Sequence, residues 1–127
     1  MLSCGFEHLP YVRLSRYHSA VRGHWASSRL TPSGFTYESS WRLLREPAAG
    51  THMLYECAVG FHNLISLDPG CEGLEPRGPV GYAYDAQAAG TIPLYRCSIG
   101  GGADHFISSS ATCEGQSVDG PLGFVHP

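Results

Sequence analysis

Along this chain, short runs in which apolar and polar residues alternate recur at nearly even spacing, each bounded by Gly, Pro or Ser. Residues 11–15, 53–59 and 93–99 form a first set. A period of two places Leu94 and Arg96 on one face of the last run and Tyr95 and Cys97 on the other. A second set centres on Trp25-Ala26-Ser27, Leu64-Ile65-Ser66 and Phe106-Ile107-Ser108. A third covers 41–44, 80–84 and 122–125, its last two members following a Gly-Pro pair. The pattern predicts nine short strands and no sustained helix. Only 36–45 has a spacing that also fits a short helix, and Tyr37 and Trp41 suit a strand there equally well.

The runs belong to a unit that occurs three times, in 10–49, 50–89 and 90–127 of a single domain spanning 1–127. Moving back 40 positions sets Ala88-Ala89-Gly90-Thr91 on Ala48-Ala49-Gly50-Thr51, and Leu94-Tyr95-Arg96-Cys97 on Leu54-Tyr55-Glu56-Cys57. Further on the offset becomes 42, where Cys113-Glu114-Gly115 meets Cys71-Glu72-Gly73 and Gly120-Pro121 meets Gly78-Pro79. The two extra residues fall in Gly100-Gly101-Gly102. In the more divergent first copy, Pro10-Tyr11-Val12-Arg13 aligns with Pro93-Leu94-Tyr95-Arg96, and Gly23-His24-Trp25 with Asp104-His105-Phe106. Fixed-period self-similarity marks a repeat architecture. Units of this size cannot bury a core alone, and closing on a pseudo-threefold axis removes the edge strands an open sheet would leave. The expected fold is therefore all-β, a small propeller-like or prism-like arrangement of three units; a β-trefoil is the alternative, although it needs four strands per unit.

Composition narrows the partners. The 16 Gly and 9 Pro suit a turn-rich β fold, and the chain is 43% hydrophobic with only 15% charged residues. Net charge is −3 and all eight basic residues are Arg, dispersed without any run, so nucleic acid is not an expected partner. No stretch reaches the roughly 20 apolar residues of a membrane span, and no signal peptide is recognisable.

Cysteines point to export. Cys57 and Cys71 in the second copy match Cys97 and Cys113 in the third, while the alignment puts Leu14 and Pro32 at those positions of the first. Members of a pair are present together or absent together, as a disulfide requires, so bridges Cys57–Cys71 and Cys97–Cys113 are expected. Each closes a loop of about 15 residues, worth roughly 3 kcal/mol in the chain-entropy treatment. A four-cysteine zinc site is disfavoured by the absence of close C-x-x-C spacing. Disulfides imply an oxidising compartment, so a secreted or extracellular location is expected, with the chain a piece of a longer exported protein. Cys4 is the odd thiol.

The strings L-Y-R-C, D-H-F-I-S, C-E-G and G-P-L-G-F resemble a family of repeats of unknown function in secreted bacterial and fungal proteins. Its units, near 40 residues each, carry an L/V-Y-R strand, a D-H-F strand and a G-Y or G-F strand. The resemblance runs from Pro10 to Val125 and is strongest in copies two and three. It implies an exported, pseudo-symmetric β domain of the kind appended to extracellular hydrolases, and it carries no catalytic residues with it.

Candidate chemistry follows from repeated polar positions. Arg13, Glu56 and Arg96 align at one, His24, Asn63 and His105 at another, and Tyr95 and Asp104 flank them in the third copy. Polar side chains beside aromatics suit shallow sugar sites, in which planar polar groups accompany ring stacking. Asp104-His105 with Ser108-Ser109-Ser110 holds the residue types of a hydrolytic triad. However, neighbours on a strand point to opposite faces, so Asp104 cannot orient His105. Two imidazoles and an amide fall short of a zinc site, and neither a metal nor another cofactor is expected. The expected function is a non-catalytic extracellular binding module for a glycan or cell envelope, accessory to a larger secreted protein. The alternatives are a structural or protein-interaction repeat and, third, a small secreted hydrolase using His105.

Overall fold

A computed structural model describes residues 10–29 and 32–127; Cys4, His8 and the rest of the lead-in lie outside the described residues. The described chain is all-β, with nine strands: β1 Tyr11–Ser19, β2 Gly23–Ser27, β3 Thr36–Leu44, β4 Thr51–Val59, β5 His62–Ser66, β6 Glu75–Tyr84, β7 Ile92–Ile99, β8 Asp104–Ser108 and β9 Ser117–Val125. Cys71–Gly73 and Cys113–Gly115 form short 3₁₀ turns. No helix among the described residues is long and apolar enough to cross a membrane.

All pairing is antiparallel, within one hydrogen-bonded sheet. β1 lies between β2 and β3, β4 between β5 and β6, and β7 between β8 and β9. Single residue pairs join these three groups. Leu44 meets Tyr82, Tyr84 meets Phe124, and Arg42 exchanges both backbone hydrogen bonds with His126 at 2.8 and 3.0 Å. The stretch Thr36–Leu44 is strand, as Tyr37 and Trp41 allow. The third strands also start earlier than the punctuation suggests, because each Gly-Pro pair lies inside its strand. There the register shifts between Leu54 and Tyr55 and between Leu94 and Tyr95, and a bulge tolerates the missing proline N–H.

Leu14, Leu54 and Leu94, one from each central strand, are fully buried and meet Ala26, Ile65, Ile107, Leu43, Val80 and Val125 in one core. Opposite them in register stand Trp41, Gly81 and Gly123. The two glycines let groups approach closely. A Cβ at Gly81 would sit 2.8 Å from Val12 Cγ2, and one at Gly123 would sit 2.9 Å from Ala83, His52 and the Tyr84 carbonyl.

Both predicted disulfides are present, Cys57–Cys71 and Cys97–Cys113. Each covers the face turned away from the core, packing with Leu64 and Tyr55 in one group and with Phe106 and Tyr95 in the other. In the first group the equivalent of Cys57 and Cys97 is Tyr17, not Leu14: Tyr17 pairs with Trp25 as Cys57 pairs with Leu64 and Cys97 with Phe106. Tyr17 packs edge-on against Tyr37 at 6.0 Å, and Trp25 lies 5.8 Å from Phe35, so aromatic rings take the place of the bridge. Leu14 instead occupies the core position of Leu54 and Leu94.

Candidate functional site

The same three-residue slip moves Arg13. Register places Arg16, which pairs with Ala26, level with Glu56, which pairs with Ile65, and Arg96, which pairs with Ile107. Arg13 is level with Met53 and Pro93 and lies exposed on the other face. The alignment through Pro10 and Pro93 concealed this. The string Leu14-Ser15-Arg16-Tyr17, set on Leu54-Tyr55-Glu56-Cys57 and Leu94-Tyr95-Arg96-Cys97, is the signal that would have found it.

These side chains knit the groups together. Arg16 Nη1 donates to the Ile107 carbonyl at 3.0 Å and to Glu114 at 2.7 Å, while its Nε donates to Glu38 at 2.9 Å. Arg96 repeats the arrangement, with Nη1 donating to the Ile65 carbonyl at 3.2 Å and to Glu72 at 2.7 Å, and Nε to Asp119 at 3.1 Å. The third seam carries reversed charges. Glu56, only 3% exposed, accepts from Ser27 at 2.9 Å, from Arg29 at 3.3 Å and from Asn63 at 3.0 Å. The first group thus grips the third, the third grips the second, and the second grips the first.

The C-E-G motif serves these seams. Cys71, Glu72, Cys113 and Glu114 all have φ between 53 and 57°, a left-handed conformation uncommon for residues with a side chain. The adjoining disulfide anchors each turn, and a serine on the neighbouring strand (Ser66 or Ser108) donates to the glutamate. The carboxylate is thereby aimed at the next group's arginine. The Arg96 and Ser66 hydrogen bonds hold Glu72 below the ordinary carboxyl range, and those from Arg16 and Ser108 do the same for Glu114. Burial opposes the charge on Arg96, yet its bonds to Glu72 and Asp119 prevail and raise it.

A second ring of contacts lies nearer the β1–β2, β4–β5 and β7–β8 hairpins. Asp104 serves His24 of the first group, not its neighbour His105. It accepts from the His24 backbone N–H at 2.9 Å and from Nδ1 at 2.6 Å. Burial works against its ionisation, but these two bonds outweigh it and lower its pKa. Asn63 clasps the backbone of Ala26, accepting from N–H at 2.9 Å and donating to the carbonyl at 2.8 Å. His105 Nδ1 and His62 Nε2 share one hydrogen bond at 2.9 Å with stacked rings, and burial depresses both imidazoles.

Of the predicted site residues, Glu56, Arg96, His24, Asn63, Asp104 and His105 come together as seams between groups. Tyr95 packs beside the Cys97–Cys113 bridge, and Arg13 stands apart. The second nitrogen of His24 faces Glu38 at 3.6 Å and that of His105 faces Asp119 at 3.7 Å, so both imidazoles are flanked by carboxylates rather than by a serine. Among the described residues, no group of three or more His, Cys, Asp and Glu is placed to hold a metal ion.

Sequence reasoning also missed an aromatic and basic surface where the first group meets Arg77 of β6. Arg77 lies over Trp25 at 5.5 Å and Arg22 over Phe35 at 5.1 Å. Beside Trp25 opens a cavity of about 670 Å³ lined by Ser27, Ser28, Arg29 and Glu56. Trp25, Phe35 and Tyr37 were legible as aromatics, but nothing local indicated that they share a face. No family model matches the chain, and no match to it was found among curated proteins or solved structures.

Proposed function

We propose that the chain is a non-catalytic extracellular binding module for glycans, built as three equivalent units closed on a pseudo-threefold axis. Equal strand order, matching register in the β1–β2, β4–β5 and β7–β8 hairpins and seams running head to tail support the closure, in a prism-like arrangement. Two disulfides support an oxidising compartment.

The Trp25–Phe35 pair flanked by Arg22 and Arg77 carries the binding reading. Where the other two units cover this face with a disulfide, the first presents aromatic rings, with its own Arg22 and Arg77 of the second unit beside them. Such rings stack on sugars while planar polar groups bond their hydroxyls. The ligand site is single and centres on Trp25 of the first unit, with Arg77 and Glu56 of the second unit at its edge.

A pull-down with a panel of insoluble polysaccharides and cell-envelope preparations tests this. Retention on at least one, weakened tenfold or more by Trp25→Ala in folded protein, is the expected result. Retention on none, or equal retention of the variant, would contradict it. A protein-interaction role is the second reading, favoured by Val21 and Phe61. These two exposed apolar hairpin residues line one cavity of about 420 Å³.

A further inference from the structure

Tyr11, Arg13, Ser15 and Tyr17 alternate onto the face of β1 turned away from the Leu14 core. Arg13 stands directly opposite Arg42 in the β1–β3 register, and both residues are exposed. Like charges in that relation repel one another. Neither guanidinium is paired with an Asp or Glu side chain among the described residues. Arg42 Nε donates to the Pro127 backbone oxygen at 3.2 Å, and its guanidinium lies over the Tyr11 ring at 5.0 Å. A cavity of about 290 Å³ opens beside them, lined by Tyr11, Val12, Arg13 and Arg42.

The scaffold does not require this pair. In the same register the second group places Met53 opposite Tyr82 and the third places Pro93 opposite Phe124. Two guanidiniums without an Asp or Glu partner among the described residues thus stand in one copy of a repeated frame, on a chain whose net charge is −3. Paired planar guanidinium groups match the oxygens of carboxylate and sulfate. Tyr17, which pairs with Trp25, lies four residues along the same strand face from Arg13, about 13 Å.

We propose that Arg13 and Arg42 bind the anionic group, carboxylate or sulfate, of an acidic polysaccharide whose neighbouring sugars reach toward Trp25. This rests on the glycan-binding reading and names its substrate class. Affinity electrophoresis of the full chain in polygalacturonate, dextran sulfate and unmodified dextran tests it. The variants Arg13→Met and Arg42→Tyr borrow residues that the second group holds at those positions, and a thermal melt verifies that they fold.

The expected result is stronger retardation by at least one acidic polymer than by dextran, with the preferred polymer identifying carboxylate or sulfate. Each variant should weaken binding to it tenfold or more and flatten its salt dependence. Combining Arg13→Met with Glu75→Gln restores the net charge. Recovered binding in that double variant would reveal diffuse attraction and overturn the site, as would single variants that bind like the parent. Equal binding of dextran and both acidic polymers would overturn this inference while leaving the glycan module standing. Failure with every polymer here and in the wider polysaccharide panel would remove both.

Discussion

Arg29 and Glu56 meet at 3.3 Å across one seam with their charges reversed relative to Glu114–Arg16 and Glu72–Arg96 at the other two. A strand arginine answering a turn glutamate is the rule twice, and a strand glutamate answering a loop arginine is the exception. The exception also fits the absence of C-E-G from the first strand group. A turn built to present Glu would place a carboxylate against Glu56, whereas Arg29 presents the opposite sign.

The two disulfides anchor the turns that carry Glu72 and Glu114, so reduction should both loosen the chain and weaken two seams. Removing either bridge by paired Cys→Ala substitution should cost about 3 kcal/mol. Chemical denaturation read by tryptophan fluorescence measures this, and a loss below about 1 kcal/mol for both pairs would contradict it.

Protonation should destabilise the histidine ring. Burial lowers His62 and His105 from an ordinary value of 6.5, with Asp104 and His24 acting on the former and Asp119, His62 and Arg96 on the latter. The unfolded chain therefore binds protons that the folded chain resists. Stability is full above about pH 6.5 and falls as pH drops through that value. Glu72, Glu114 and Asp104, held low in the folded state, add a second loss as pH falls below the ordinary carboxyl range. His105→Asn, which borrows the residue of Asn63, should flatten the decline in Tm between pH 7 and pH 5. Equal slopes for variant and parent would contradict the assignment.

Gly123→Ala should destabilise by about 2 kcal/mol, since overpacking against the Tyr84 backbone and Ala83 leaves little room to yield, and φ is +134°. Gly120→Ala, also at positive φ but with nothing within 4 Å of the added carbon, separates backbone strain from the clash and should cost less. Equal losses in the two would assign the effect to backbone conformation alone.

Much of this fold was legible because similar strings recur along the chain, as Ala48-Ala49-Gly50-Thr51 with Ala88-Ala89-Gly90-Thr91 and Cys71-Glu72-Gly73 with Cys113-Glu114-Gly115. Alternation gave the strands, and matched cysteines gave both bridges. The site was less legible, since a strand residue such as Arg96 reads identically whether it faces solvent or the next unit's Glu72. Only tertiary placement distinguishes them. Arg13 illustrates a further difficulty: Pro10 resembles Pro93 in isolation, while the buried face of Leu14 fixes the register three residues away from that match. The aromatic surface of Trp25 and Phe35 was hidden because these residues belong to different strands and loops of one divergent copy.

The joining of the three strand groups through charged seams is tested most directly by a double-mutant cycle on Arg29 and Glu56. Glu56→Arg alone sets a second guanidinium against Arg29 and deprives Ser27 and Asn63 of their acceptor, with an expected loss of about 3–5 kcal/mol. Arg29→Glu alone sets carboxylate against carboxylate and should also destabilise. Combined, the two substitutions recreate the arrangement of the other seams, and the stability of the double variant should exceed the additive expectation by about 2 kcal/mol or more. Additivity within about 0.5 kcal/mol would show that the pair is not coupled across the seam and would contradict the account.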